Sequence, residues 1–247
     1  MNWLILRGLV REQRHWGEFA SQFEAGMRQK DPRSKVHTLD FAGFGTESDR
    51  LSPTSIDGIV DDLRARWSAL SAEGDWGLLA VSLGGMVAMN WTSRYPEDFK
   101  RLVLINSSVG GLSPLFRRMQ PANFPTILSL FFERNIRNRE ERILSITTNL
   151  KGDALRKRAD WQGSFAKVVR PRDAAAQIFA AIRFRAPARI SIPVLVLTSK
   201  GDTLVHYSCS ESIARHFGAE LRIHETANHD LPTDDPDWVK NQVGSWA

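Results

Sequence analysis

The chain predicts an α/β fold, a doubly wound and mostly parallel sheet with a helical segment inserted late, and three observations carry that reading. Short runs rich in Val, Ile and Leu alternate with stretches of helical period. Most of these runs are apolar nearly throughout, as parallel strands covered on both faces must be. One late stretch breaks the alternation and differs from its surroundings in charge. With 247 residues, 42% of them apolar, the chain has material for a sizeable core.

Each element can be justified in turn. W-L-I-L, from Trp3 to Leu6, reads as the first strand, followed by a loop through Gly8 and a helix from Glu12 to Gln29. K-V-H-T-L-D is the second strand. Thr54 or Ser55 then caps a helix reaching Leu70, its hydroxyl accepting from a free helix N–H. G-L-L-A-V-S is the third strand and runs straight into a helix from Leu83 to Tyr95, closed by Pro96. R-L-V-L-I-N is the fourth. I-P-V-L-V-L-T resumes the pattern near Ile192, with a helix from Ser208 to Phe217, a last strand L-R-I-H-E, and a helix from Asp235 to Trp246. The organisation expected is a core of residues 1–112 and 190–247 with a helical insertion over 113–189.

Charge marks the insertion. Residues 113–189 hold 16 Lys and Arg against 6 Asp and Glu, a net of +10; the remainder holds 17 against 22, a net of −5. The overall +5 therefore belongs to one segment, which reads as short helices around P-T-I-L-S-L-F-F-E-R, E-R-I-L-S-I-T-T-N-L and A-A-A-Q-I-F-A-A-I. No nucleic-acid recognition motif accompanies the charge, so no nucleic-acid partner is expected. Cys209 is the one cysteine, so no intrachain disulfide can form and packing is its expected role. The apolar run before Arg7 is too short for a signal peptide and no run approaches a membrane span, which makes a cytoplasmic protein the expectation.

Chemistry enters at W76-G-L-L-A-V-S-L-G-G-M. Ser82 ends a strand and opens a helix, with Ala80 two residues before and Gly84 two after, the small flanks that a sharp strand-to-helix turn needs. A serine here could equally cap an ordinary helix, so other residues must decide. A serine hydroxyl is a weak nucleophile at neutral pH; it needs a histidine base, and the histidine needs a carboxylate to fix its tautomer. Asp202 follows the strand I-P-V-L-V-L-T and His229 follows L-R-I-H-E, both at carboxyl ends of strands, where doubly wound sheets bind their ligands. His206 is the rival histidine, four residues past Asp202; His15, His37, His216 and His224 fall inside predicted helices or strands.

These features resemble the α/β-hydrolase superfamily along nearly the whole chain. Its nucleophile turn is similar to A80-V-S-L-G84, its D-x-P-G-x-G-x-S loop to D40-F-A-G-F-G-T-E-S48, its G-x-x-D-x-x-V loop to S199-K-G-D-T-L-V205, and its G-H loop to N228-H-D-L-P. Alanine stands at position 80 where glycine is usual, and Arg7 where histidine is common. The resemblance implies Ser82 as nucleophile, His229 as general base and acid, Asp202 as orienting carboxylate, and backbone N–H groups of Leu9 and Leu83 as the oxyanion hole. It implies that 113–189 is a lid.

Phe116, Met119, Phe124, Phe131 and neighbouring apolar residues are then expected to line an acyl pocket, with His206, Arg117 and Arg118 nearby. Arg7 is expected to pair with a buried carboxylate or carbonyl. The activity implied is hydrolysis of a carboxylic ester or thioester through an acyl-Ser82 intermediate, with no metal or organic cofactor. The basic lid suits an anionic small molecule or an acidic carrier protein, a layout similar to esterases acting on pimeloyl-acyl carrier protein methyl ester. Carbon–carbon lyase, hydrolase or synthase chemistry by the same triad, and a non-catalytic binding protein on this fold, stay open.

Overall fold

The computed structural model describes residues 1–70, 74–130 and 132–246. Six strands form one sheet: β1 (Asn2–Leu6), β2 (Val36–Thr38), β3 (Trp76–Val81), β4 (Arg101–Ile105), β5 (Val194–Ser199) and β6 (Glu220–His224), in the order β2-β1-β3-β4-β5-β6. Every neighbouring pair is parallel. The chain winds outward from β1 to β2, then crosses back to lay β3 on the other side of β1. That reversal opens a crevice at the carboxyl ends of β1 and β3.

Helices cover both faces. Alternate strand residues point to opposite sides: Leu4, Leu78, Leu102 and Val194 join one apolar core with α2 (Ile56–Trp67), α3 (Leu83–Arg94) and α9 (Ser208–Phe217). Trp3, Leu79, Val103 and Leu195 join the other with α1 (Phe19–Arg28) and α11 (Pro236–Trp246), the short α10 (Leu231–Asp234) preceding the latter. Most of these side chains are fully buried.

Ser55 is the cap of α2, its Oγ accepting from Gly58 N at 3.1 Å. The helix expected over 12–29 is divided: a 3₁₀ turn at Gln13–Trp16 ends at Gly17, whose φ of 57° turns the chain before α1 begins. Such a left-handed residue cannot continue an α-helix.

Among the described residues five α-helices lie between β4 and β5: α4 (Leu115–Arg118), α5 (Phe124–Leu130), α6 (Ile136–Thr147), α7 (Gly152–Gly163) and α8 (Pro171–Arg183), with a 3₁₀ turn at Pro121–Asn123. A lone bridge between Gly110 and Arg185 brings the two ends of this segment together. No described helix is long and apolar enough to cross a membrane.

Candidate active site

Ser82 follows β3 with φ 56° and ψ −118°, a conformation far from either helix or strand, and α3 starts at the next residue. Its N–H is anchored by Ile105 O at 2.9 Å and its carbonyl accepts from Ser107 Oγ at 2.8 Å. Two glycines allow the turn to sit against the loop after β1. A Cβ on Gly84 would stand 2.6 Å from Arg7 O, and one on Gly8 would stand 3.1 Å from the Ser82 Cβ. Ala80, fully buried in mid-strand, leaves the turn intact.

Two further loops converge on the cavity that Ser82 lines. Asp202 and His229 are each 5% exposed, and His229 Nδ1 lies 2.8 Å from Asp202 Oδ2. Asp202 Oδ1 accepts from Leu204 N and Val205 N, both at 2.8 Å, so the carboxylate is fixed before it meets the ring. Asn228 Oδ1 bridges the loops, accepting from His229 N at 2.8 Å and Thr203 N at 2.9 Å. Asn106, at φ 44° past the end of β4, donates from Nδ2 to His229 O at 2.9 Å while its Oδ1 accepts from Ser199 N at 3.0 Å. With Nδ1 held by Asp202, Nε2 is the ring nitrogen left for other chemistry.

Beside this stands a second buried pair. Arg7 donates through both Nη atoms to Asp230, at 3.0 and 2.7 Å, and its guanidinium lies 4.6 Å over Trp16. Burial pushes the Asp230 carboxyl up, but Arg7 more than offsets this, with Arg11 and Thr233 helping, and holds it below the usual carboxylate range. Asp230 therefore neutralises Arg7 and leaves Asp202 to His229.

A cavity of about 650 Å³ opens between these loops and the helices after β4, lined by Leu9, Ser82 and His229 on one side. Met119, Ile127, Leu130, Ile136, Ile143 and Val169 make most of the other wall, with Arg134 and Arg139 among them. The volume is typical of a small-molecule site. Leu9 faces the cavity; Leu83 is buried as the first residue of α3, where a backbone N–H has no intrahelical partner.

Several residues expected at the pocket lie elsewhere. Phe116 is 59% and Phe124 45% exposed, and neither lines the cavity; short helices leave them on the outer side. Arg117 is exposed and donates to Ser208 Oγ, while Arg118 turns inward to Ala181 O at 2.7 Å. His206 stacks on Tyr207 and bonds Ser208 Oγ at 2.8 Å, an arrangement at the start of α9 away from the cavity. Phe131 lies outside the described residues. Among the described residues no group of three or more His, Cys, Asp or Glu is placed to hold a metal.

Sheet, turn and loops define an α/β hydrolase. A family profile described as serine aminopeptidase, S33, matches residues 21–236, and the chain belongs to that family. A serine hydrolase from Cycloclasticus zankles superposes with a TM-score of 0.77 at 18% identity, covering 100% of this chain and 89% of its own. An enol-lactonase from Burkholderia xenovorans gives 0.75 at 16%, covering 99% and 90%. In sequence, a pimeloyl-[acyl-carrier protein] methyl ester esterase of Chromobacterium violaceum is 31% identical over 93 residues, 38% of this chain and 34% of that protein. Its counterpart in Shewanella woodyi is 34% identical over 139 residues, 53% and 49%. The matched segments thus span at most about half the length of these curated relatives.

Proposed function

We propose that the protein is a serine esterase or thioesterase that cleaves an acyl ester bearing an anionic group. The observation that carries this is the buried Asp202–His229 pair opening onto the same cavity as Ser82, which is held on a strained turn. Ser82 Oγ attacks the carbonyl carbon and passes its proton to His229 Nε2. The resulting oxyanion accepts from the N–H groups of Leu9 and Leu83, donors worth about 3 kcal/mol each in such sites. His229 then protonates the departing alcohol or thiol. Water, deprotonated by His229, attacks the acyl-Ser82 ester; the acyl C–Oγ bond breaks, His229 returns the proton to Ser82 Oγ, and the carboxylic acid leaves. Asp202 keeps Nδ1 protonated and stabilises the imidazolium throughout.

The helices over 113–189 act as the lid in this reading: they wall the cavity, exclude water and select the acyl group. Their apolar lining suits an alkyl chain. Arg139 lines the cavity and, among the described residues, forms no ion pair; Arg134 stands near it at the wall. A carboxylate or phosphate on the substrate would complete them. An acidic carrier protein as the delivering partner is supported by the basic lid and by the printed activity of the two esterase relatives. A reducing compartment such as the cytoplasm suits the one cysteine, a buried thiol on α9.

The test is intact-protein mass after exposure to a fluorophosphonate. One adduct on the wild type and none on Ser82→Ala is the expected result; a folded wild type without adduct would overturn the assignment. A panel of esters with and without a terminal carboxylate then reads the substrate class. Release of an acid with an alcohol or thiol separates hydrolysis from carbon–carbon chemistry.

A further inference from the structure

The loop that carries Leu9 is held from its far side by the lid. Val10, the next residue, has φ 59°. For a β-branched side chain that is an outlier, and such a conformation persists only where its surroundings over-determine it. Here the surroundings are a tight turn, in which Arg11 N donates to Gly8 O at 3.3 Å, and polar groups from three lid helices. Val10 N donates to Gln177 Oε1 on α8 at 2.9 Å. Arg11 donates to Glu140 Oε2 on α6 at 2.6 Å and to Gln162 Oε1 on α7 at 2.8 Å. Gln162 and Gln177 are fully buried, and Arg11 and Glu140 nearly so. On the other side of Leu9, Gly8 is packed against Ser82.

We propose that Gln177 is a positioning residue that sets the Leu9 N–H as an oxyanion donor by holding Val10 in its left-handed conformation. This rests on the serine-hydrolase reading above. Gln177 does not line the cavity and does not touch the acyl group; it acts through Val10. Its Oε1 is the atom that matters, because its buried Nε2 finds no partner among the described residues. The seat of α8 and the placement of the Leu9 N–H are thus coupled. Only when α8 lies against the loop does the acceptor for Val10 N exist.

The experiment measures p-nitrophenyl butyrate turnover for the wild type, Gln177→Leu, Gln177→Glu, Val10→Gly and the pair Val10→Gly with Gln177→Leu. Phe179→Ala, exposed on the same helix, is the control. Gln177→Leu is expected to lower kcat about tenfold or more with KM within about twofold. It should weaken a trifluoromethyl ketone, which forms a tetrahedral oxyanion on the serine, by the same factor, while the fluorophosphonate endpoint stays at one adduct per chain. Gln177→Glu keeps the acceptor oxygen and retains kcat. With Val10→Gly the left-handed conformation is unstrained, so removing Gln177 costs at most about threefold there. Unchanged kcat in Gln177→Leu, a loss confined to KM, or an equal loss in both backgrounds would each overturn the inference. Wild type that takes no adduct and shows no turnover instead sinks the serine reading, and this one with it.

Discussion

The two walls of the cavity are built by different means. On the sheet side, burial of the strands places the proposed catalytic groups: Ser82 and Asp202 stand past β3 and β5, whose apolar residues pack into both cores, and His229 past the half-buried edge strand β6. On the helical side, polar side chains do the placing, through Arg11 with Glu140 and Gln162, and Val10 with Gln177. Several of that segment's own arginines are spent internally, Arg137 on Asp160 and Arg142 on Glu133. The difference teaches that apolar burial sets the strands beneath one wall, whereas the helical wall, like the loops that face it, is set by paired groups far apart in sequence. The first tolerates changes of detail, whereas the second depends on both members of each pair being present.

This contrast can be broken at several points. Ser82→Ala should cost most, about 10⁶-fold in kcat, read by steady-state turnover at saturating ester. Asp202→Asn, which leaves His229 in the wrong tautomer, should cost about 10⁴-fold in the same assay with the fold unchanged by circular dichroism. Leu104→Ala, in the fully buried middle of β4, should destabilise the sheet by about 2–5 kcal/mol in urea unfolding. Arg139→Gln, on the helical wall, should raise KM about tenfold for esters with a terminal carboxylate and leave neutral esters alone. A uniform loss across both ester types would instead assign Arg139 to structure.

The smallest effect is one of pH. His15 sits at the junction of the two walls, its Nδ1 accepting from Glu12 N and its Nε2 3.7 Å from Glu140. Burial, reinforced by the charges of Arg11 and Arg7, holds its imidazole well below the ordinary 6.5. The unfolded chain therefore takes up the proton first, so this contribution to stability is complete above about pH 6.5 and is lost as pH falls below it. His15→Gln should flatten the decline of Tm between pH 7 and 5; an unchanged slope would place the titrating group elsewhere.

Legibility in the sequence follows the same division. Strands and the loops bearing Ser82, Asp202 and His229 could be read because apolar runs and their small or polar ends are local signals, whereas the strand order, set by contacts between distant runs, could not. Arg7 was readable as half of a pair, but its partner was not, since Asp230 lies 223 residues away. Helices α4 and α7 had no apolar stripe to reveal them, and Phe116 on α4 and Phe124 on α5, both assigned to the pocket, fell on the outer side because short helices of ambiguous phase leave the inward face undetermined. Two residues were missed that carried a signal. Asn106 is a polar end on the run R-L-V-L-I-N, and Gln177 is a lone amide within A-A-A-Q-I-F-A-A-I. Both turn out to hold a loop.

The bridge between Gly110 and Arg185 has an evolutionary corollary. Because Gly110 and Arg185 pair the segment's two ends outside the strands, its length and composition can change without displacing β4 or β5, which remain paired through Leu102 to Ile105. The chamber wall is therefore an exchangeable cassette, whose replacement would reshape the cavity without moving the strands. The exchange carries one condition: whatever replaces α8 must still present an acceptor to the loop after β1.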